Sequence, residues 1–149
     1  MKVEKDYVEL LELFNKHNVR YCIVGAYAVA FYGRPRYTKD LDILIEPVPD
    51  NARRLVKALD AFGFKSLKLK EEDFTKKGNM IQLGYEPIRI DLLTSLRGFS
   101  FASLWKKKRV GKYGKHRVLF SGKDDLIRNK KLSGRNQDLA DLEVLRSEA

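Results

Sequence analysis

Asp40 and Asp42, one residue apart, open an otherwise apolar segment, Asp40-Leu-Asp-Ile-Leu-Ile45. Alternate side chains of a strand share a face, so both carboxylates would lie on one side, with Leu41 and Ile43 on the other. Like charges at that spacing repel unless a cation lies between them. Hard carboxylate oxygens suit Mg²⁺, which is held by one or two carboxylates together with the phosphates of a substrate. The plainer reading is a solvated strand end with Asp40 capping a turn, but the apolar flank makes bare paired carboxylates costly there.

A third acid, Asp91, lies in the apolar segment Ile88-Arg-Ile-Asp-Leu-Leu93. Alternation puts Arg89, Asp91 and Leu93 on one face and Ile88, Ile90 and Leu92 on the other. An acid on an inner strand needs a partner. Either Arg89 or a lysine supplies it, or Asp91 joins Asp40 and Asp42 as a third carboxylate that bridges metals and accepts a hydroxyl proton. Val24-Gly25-Ala26 marks a junction between an apolar strand and a helix. A glycine there can take a positive φ and bring the backbone close to a ligand, and the free N–H groups of the helix start suit a phosphate. Gly25 is otherwise a tight turn.

The elements that would position these residues follow from periodicity. Tyr7, Leu10, Leu11 and Phe14 have helical spacing, which predicts a helix over about 4–17, with Asn18 as its stop. Tyr21-Cys-Ile-Val24 is expected as a buried strand, and 26–32 as a short buried helix closed by Gly33. Pro35 makes 34–39 a loop. A helix is expected over 52–62, capped by Asp50 and ended by Gly63. Strands are expected over 65–70, 80–83 and 88–93, with 84–87 as a turn. A helical turn at 99–105, a strand at 116–120 and two helices, about 123–132 and 135–147, complete the chain. The order predicts an α/β (α+β) fold, a mixed β-sheet flanked by helices with a C-terminal helical tail. A single domain over 1–149 is expected, with a core at about 19–95, a basic segment at 105–117 and the tail at 123–147.

Composition narrows the partners. The 149 residues carry 30 Lys plus Arg against 20 Asp plus Glu, a net charge of +10, which favours nucleic acid, a nucleotide or another anion. With 44% hydrophobic residues the chain can build a core and is not disordered. The longest apolar run, 21–32, is too short to span a bilayer, and the N-terminus has no apolar stretch of the signal-peptide kind. No membrane association and a cytoplasmic location are therefore expected. The one cysteine, Cys22, fits a reducing compartment and a small buried hydrophobe. His17 and His116 lack a second ligand at zinc spacing.

Taken together, Gly25-Ala26, a short helix, Gly33, Arg36-x-Thr38, Asp40-x-Asp42 and the distant Asp91 resemble the nucleotidyltransferase superfamily that includes DNA polymerase beta, in its minimal bacterial and archaeal forms. The resemblance covers about 21–93, and the tail, with Asp124-Asp-Leu-Ile-Arg-Asn-Lys130 and Gly134-Arg-Asn-Gln-Asp138-Leu-Ala-Asp141, is similar to the C-terminal helices of such proteins. It implies transfer of a nucleoside monophosphate from an NTP, ATP among them, to a hydroxyl of a protein, an RNA or a small molecule. By this resemblance Asp40, Asp42 and Asp91 are the catalytic, metal-holding residues of a two-metal Mg²⁺ site that also admits Mn²⁺. Gly25, Ala26, Arg36, Thr38, Lys130 and Arg135 are then the nucleotide-binding residues. The plainer readings are a surface salt bridge for Arg36 and helix pairing with Asp138 and Asp141 for Lys130 and Arg135.

The sequence departs from the family at Ala26, where many members have glycine or serine. Alanine offers no hydroxyl to a phosphate. The resemblance therefore also admits a non-catalytic nucleic-acid- or partner-binding module on the same fold, including a toxin–antitoxin component. The stretch 106–117, with seven basic residues and Trp105 and Tyr113 interleaved, is either an RNA- or protein-acceptor surface with an aromatic for stacking or a solvated β-hairpin. A homodimer could complete a site in so short a chain.

Overall fold

The computed structural model describes residues 3–33, 40–85, 88–133 and 136–147. Arg36, Thr38 and Arg135 fall outside them. Helix α1, Lys5–Lys16, buries Tyr7, Leu10, Leu11 and Phe14 as one stripe, and Asn18 with φ +56° turns the chain out of it. Strand β1, Tyr21–Val24, is buried along its whole length. It runs directly into α2, Gly25–Tyr32, and β2 follows over Asp40–Ile45.

Helix α3, Pro49–Phe62, starts earlier than expected. Proline at its first turn has a preset φ and no N–H to lose. Val48 is consequently the residue at the cap, and Asp50 sits within the first turn, 2.8 Å from Arg53. Gly63 ends the helix with φ +112°.

The strand expected at 65–70 does not form. That segment contains a 3-10 turn, Lys65–Leu67, and a second follows at Glu71–Phe74. Leu67 and Leu69 alternate like strand residues, but the segment lies against α3 instead of the sheet, anchored by the fully buried Phe74. Strands β3, Met80–Tyr85, and β4, Ile88–Leu93, form the expected hairpin, with β3 running on through Gly84 and Tyr85, where the turn is expected. Helix α4, Phe101–Lys106, precedes a second hairpin of β5, Arg109–Tyr113, and β6, His116–Phe120. Helices α5, Lys123–Ser133, and α6, Asn136–Ser147, form the tail.

The six strands make one mixed sheet in the order β3-β4-β2-β1-β6-β5. β1 and β2 are antiparallel, whereas β2 with β4 and β1 with β6 are parallel. Alternation on β2 divides the core. Leu41, Ile43 and Ile45 join the larger cluster with α1, α2 and α3 residues. Leu44 faces the smaller cluster of Val24, Leu104, Leu93 and Phe101. Each such side chain fully removed from water contributes roughly 2 kcal/mol, so the sheet is held from both faces. Asp40 and Asp42 share the Leu44 face, beyond the edge of the smaller cluster.

Candidate functional site

The site is built by strand pairing. In the parallel β2–β4 ladder Asp40 lies opposite Arg89 and Asp42 opposite Asp91. The antiparallel β1–β2 ladder puts Val24 opposite Asp42, so Gly25 emerges next to the same carboxylate. Residues far apart in sequence thus meet on one face: the three acids, Arg89 and the start of α2.

Gly25 is required twice over. Its φ is +69°, a conformation that side chains resist. A Cβ there would also overlap the Asp42 carboxylate. Helix α2 has no side-chain cap at its start, which leaves N–H groups and the positive end of its dipole beside that carboxylate. Ala26 follows, half-buried.

The electrostatics are those of crowded acids. Burial pushes the Asp42 carboxyl up to about 7, and the neighbouring Asp91 and Asp40 charges add to the rise; Lys130 and Arg89 oppose it. Arg89 grips Asp91 with Nε and Nη2, each 3.0 Å from a carboxylate oxygen. The same guanidinium reaches Asp40 at 4.0 Å. Tyr7 donates its hydroxyl to the Arg89 carbonyl at 2.9 Å, fixing the backbone there. Arg89 is therefore the residue that the sequence offered only as a structural partner and that the structure puts at the centre of the acids.

The donor set fits a hard divalent cation in kind. Asp40 and Asp42 share a face, and Asp40 Oδ1 is buried with no hydrogen-bond partner among the described residues. As the side chains stand, no group of three acid, histidine or cysteine residues among the described ones encloses an ion. Asp91 is engaged with Arg89 instead.

Other expected site residues separate. Lys130 on α5 forms a 3.3 Å ion pair with Asp141 on α6, both side chains under 10% exposed. The pairing is buried between the two tail helices, where a helix-surface contact was the plainer expectation. Its charge still acts on Asp42. Tyr113 is not available for stacking, contrary to the expectation from 106–117. It packs edge-on against Tyr27, and its hydroxyl accepts from the Glu4 amide at 2.6 Å. Its ring joins Val118 and Phe120 of β6 in the core. Cys22 is buried, and burial pushes its thiol up to about 12, so it is a hydrophobe and not a nucleophile.

Comparisons with known proteins place this geometry. The sequence matches no protein-family profile and no curated protein. Solved structures do match. The lincosamide antibiotic adenylyltransferase LnuA, bound to lincomycin, superposes with a TM-score of 0.64 over 98% of this chain and 98% of its own, at 17% identity. TM1012 of Thermotoga maritima, assigned as a nucleotidyltransferase, gives 0.62 over 99% and 97% at 14% identity. ANT(2'')-Ia in complex with adenylyl-2''-tobramycin gives 0.59 over 93% and 84% at 11% identity. Near-complete coverage at such low identity carries the architecture and nothing finer. The mixed sheet with its helical tail has the fold of these nucleotidyltransferase structures.

Proposed function

We propose that this chain is a nucleotidyltransferase that moves a nucleoside monophosphate from an NTP to a hydroxyl acceptor with divalent-metal assistance. The observation that carries the reading is the meeting of Asp40, Asp42 and Asp91 on one face beside Gly25. Asp40 and Asp42 would hold Mg²⁺ or Mn²⁺, and Asp91, once released by Arg89, a second ion. Bound there, the ions would neutralise the phosphates and clamp the attacking and leaving oxygens. Gly25 lets the backbone approach the triphosphate, and the start of α2 offers it amide donors. Asp91 accepts the proton of the attacking hydroxyl. Arg36, Thr38 and Arg135 are proposed as further phosphate contacts, and Lys130 as a long-range positive charge.

ATP is the proposed donor and a small-molecule hydroxyl the favoured acceptor, on the strength of the adenylyltransferase LnuA and the adenylyl-tobramycin complex of ANT(2'')-Ia among its structural neighbours. A protein or RNA acceptor, a homodimer, a cytoplasmic location and a toxin–antitoxin role remain parts of the proposal to be tested in turn. Among the described residues no helix is long and apolar enough to cross a membrane.

The test is calorimetric titration of ATP, GTP, CTP and UTP with and without Mg²⁺. Metal-dependent binding that Asp42→Ala abolishes is expected. A second reading has its own observation: Arg89 already neutralises Asp91, and Ala26 lacks a hydroxyl. A binding module would show no metal-dependent nucleotide binding, and Asp42→Ala would leave its partner affinity unchanged.

A further inference from the structure

A cavity opens at the end of β1 away from the acids. It has a volume of about 580 Å³, and its lining includes Asn15, Asn18, Arg20, Arg54, Trp105 and Arg117. Arg20 immediately precedes β1, whereas Asp42 lies level with Val24 at the far end of that strand and Gly25 follows it. Four residue steps separate Arg20 from Val24, about 13 Å at strand rise. The lining of the cavity is therefore separate from the carboxylates.

Its walls come from α1, the chain entering β1, α3, α4 and β6, and three of them contribute a guanidinium. Arg20 meets Glu46 at 3.6 Å. Arg54 and Arg117 form no ion pair among the described residues, so the cavity has uncompensated positive charge. Asn15 and Asn18 add polar side chains.

Trp105 gives this charge an aromatic wall. Its indole stacks on Phe101 with centroids 5.7 Å apart, and the cations of Lys108 and Arg20 lie 3.9 and 5.5 Å from the ring centroid. Lys106 is exposed beside it, and Lys107, paired with Asp125 at 3.8 Å, flanks it, so the positive charge extends beyond the cavity. A single phosphate would need the arginines but neither the indole nor the extension. An acidic peptide would need the charge but not the ring.

We infer that this cavity binds single-stranded nucleic acid, with phosphates on Arg20, Arg54 and Arg117 and a base against Trp105. Stacking on an aromatic side chain and phosphate pairing are how such strands are held without reading sequence. The incoming base takes the place of the Lys108 ammonium over the ring, and that ammonium moves to a phosphate. The inference does not depend on the transferase reading.

Trp105 is the one tryptophan in the chain, so its fluorescence reports the cavity directly. An RNA uridine octamer should quench it saturably. Four phosphate contacts on a single strand, those of the three arginines and the displaced Lys108, predict a log–log salt slope of about −3. Arg54→Glu and Arg117→Glu should each weaken binding at least tenfold while leaving the melting temperature and circular dichroism in place, and Asp42→Asn should bind as the wild type does. The inference is overturned if an aspartate octamer quenches as well as the RNA, if UTP alone binds as tightly as the octamer, or if folded Arg54→Glu and Arg117→Glu bind unchanged.

Discussion

Arg89 stands to Asp91 as a resident counter-ion: two hydrogen bonds of 3.0 Å from a neighbour on the same face of the same strand. A buried carboxylate needs a positive partner, and this chain supplies one two residues away. A divalent ion at Asp91 would have to compete with that guanidinium. The relation makes charge, and not shape, the first thing a ligand must change at the site.

Replacing the counter-ion tests this. Arg89→Met should lower the melting temperature by several degrees in EDTA, because Asp91 is left buried and unpaired. Millimolar Mg²⁺ should then raise the melting temperature of the variant more than that of the wild type. Equal responses of the two proteins in a thermal-shift series would show that Asp91 is not where the metal acts.

The raised Asp42 carboxyl predicts a pH effect on stability without metal. Its folded value of about 7 lies above the ordinary 3.8, so the folded state holds the proton more tightly. The stability it contributes is full below about pH 4 and is lost as pH rises toward and through 7. Asp42→Asn, which carries no charge to bury, should be more stable than the wild type at pH 8, by up to about 4 kcal/mol. The gain should shrink toward pH 4, as read from urea melts across that range.

Gly25→Ala should destabilise the protein by about 1–3 kcal/mol from its positive φ alone, with a further loss from overlap with the Asp42 carboxylate. Ala26→Ser, one residue on and half-buried, should cost little and add a hydroxyl at the start of α2. Chemical denaturation measures the first effect; metal-dependent ATP titration of the serine variant should show tighter binding than the wild type.

The tail offers a double-mutant cycle. Lys130→Met or Asp141→Asn alone leaves a buried charge without this partner and should cost about 3–5 kcal/mol. The two together should cost clearly less than the sum of the singles. Additive losses in urea melts would mean that the 3.3 Å pair is not coupled.

Much of this fold was legible because its signals are local. The Tyr7–Phe14 stripe, the apolar strand before Gly25 and the alternation around Asp40 and Asp42 each follow from the period of one element. Segment 65–70 was misread for the same reason: Leu67 and Leu69 alternate as strand residues do, and nothing local says that the segment turns beside α3, leaving Leu67 exposed and Leu69 partly buried. The Asp50 cap was misplaced because Pro49 could begin the helix first. The acids were found individually, and their faces followed from alternation. That Arg89 takes Asp91 in a two-point grip depends on side-chain geometry that alternation does not specify. Tyr113 looked like a surface aromatic among lysines, and only the approach of α1 and α2 buries it. The arginine cavity was invisible, since its walls come from five separate parts of the chain.

The parallel pairing of β2 with β4 also has a kinetic side. Asp42 and Asp91 become neighbours only when α3 and the whole segment to β4 have closed on β2, so their pairing must repay the entropy of closing that loop. β4 then has β3 on its outer side and β2 on its inner side, so it cannot leave without breaking two ladders. A ligand that bridges these two aspartates would bind a pairing that only the folded chain holds, and so would make the folded chain persist longer in proportion to its occupancy.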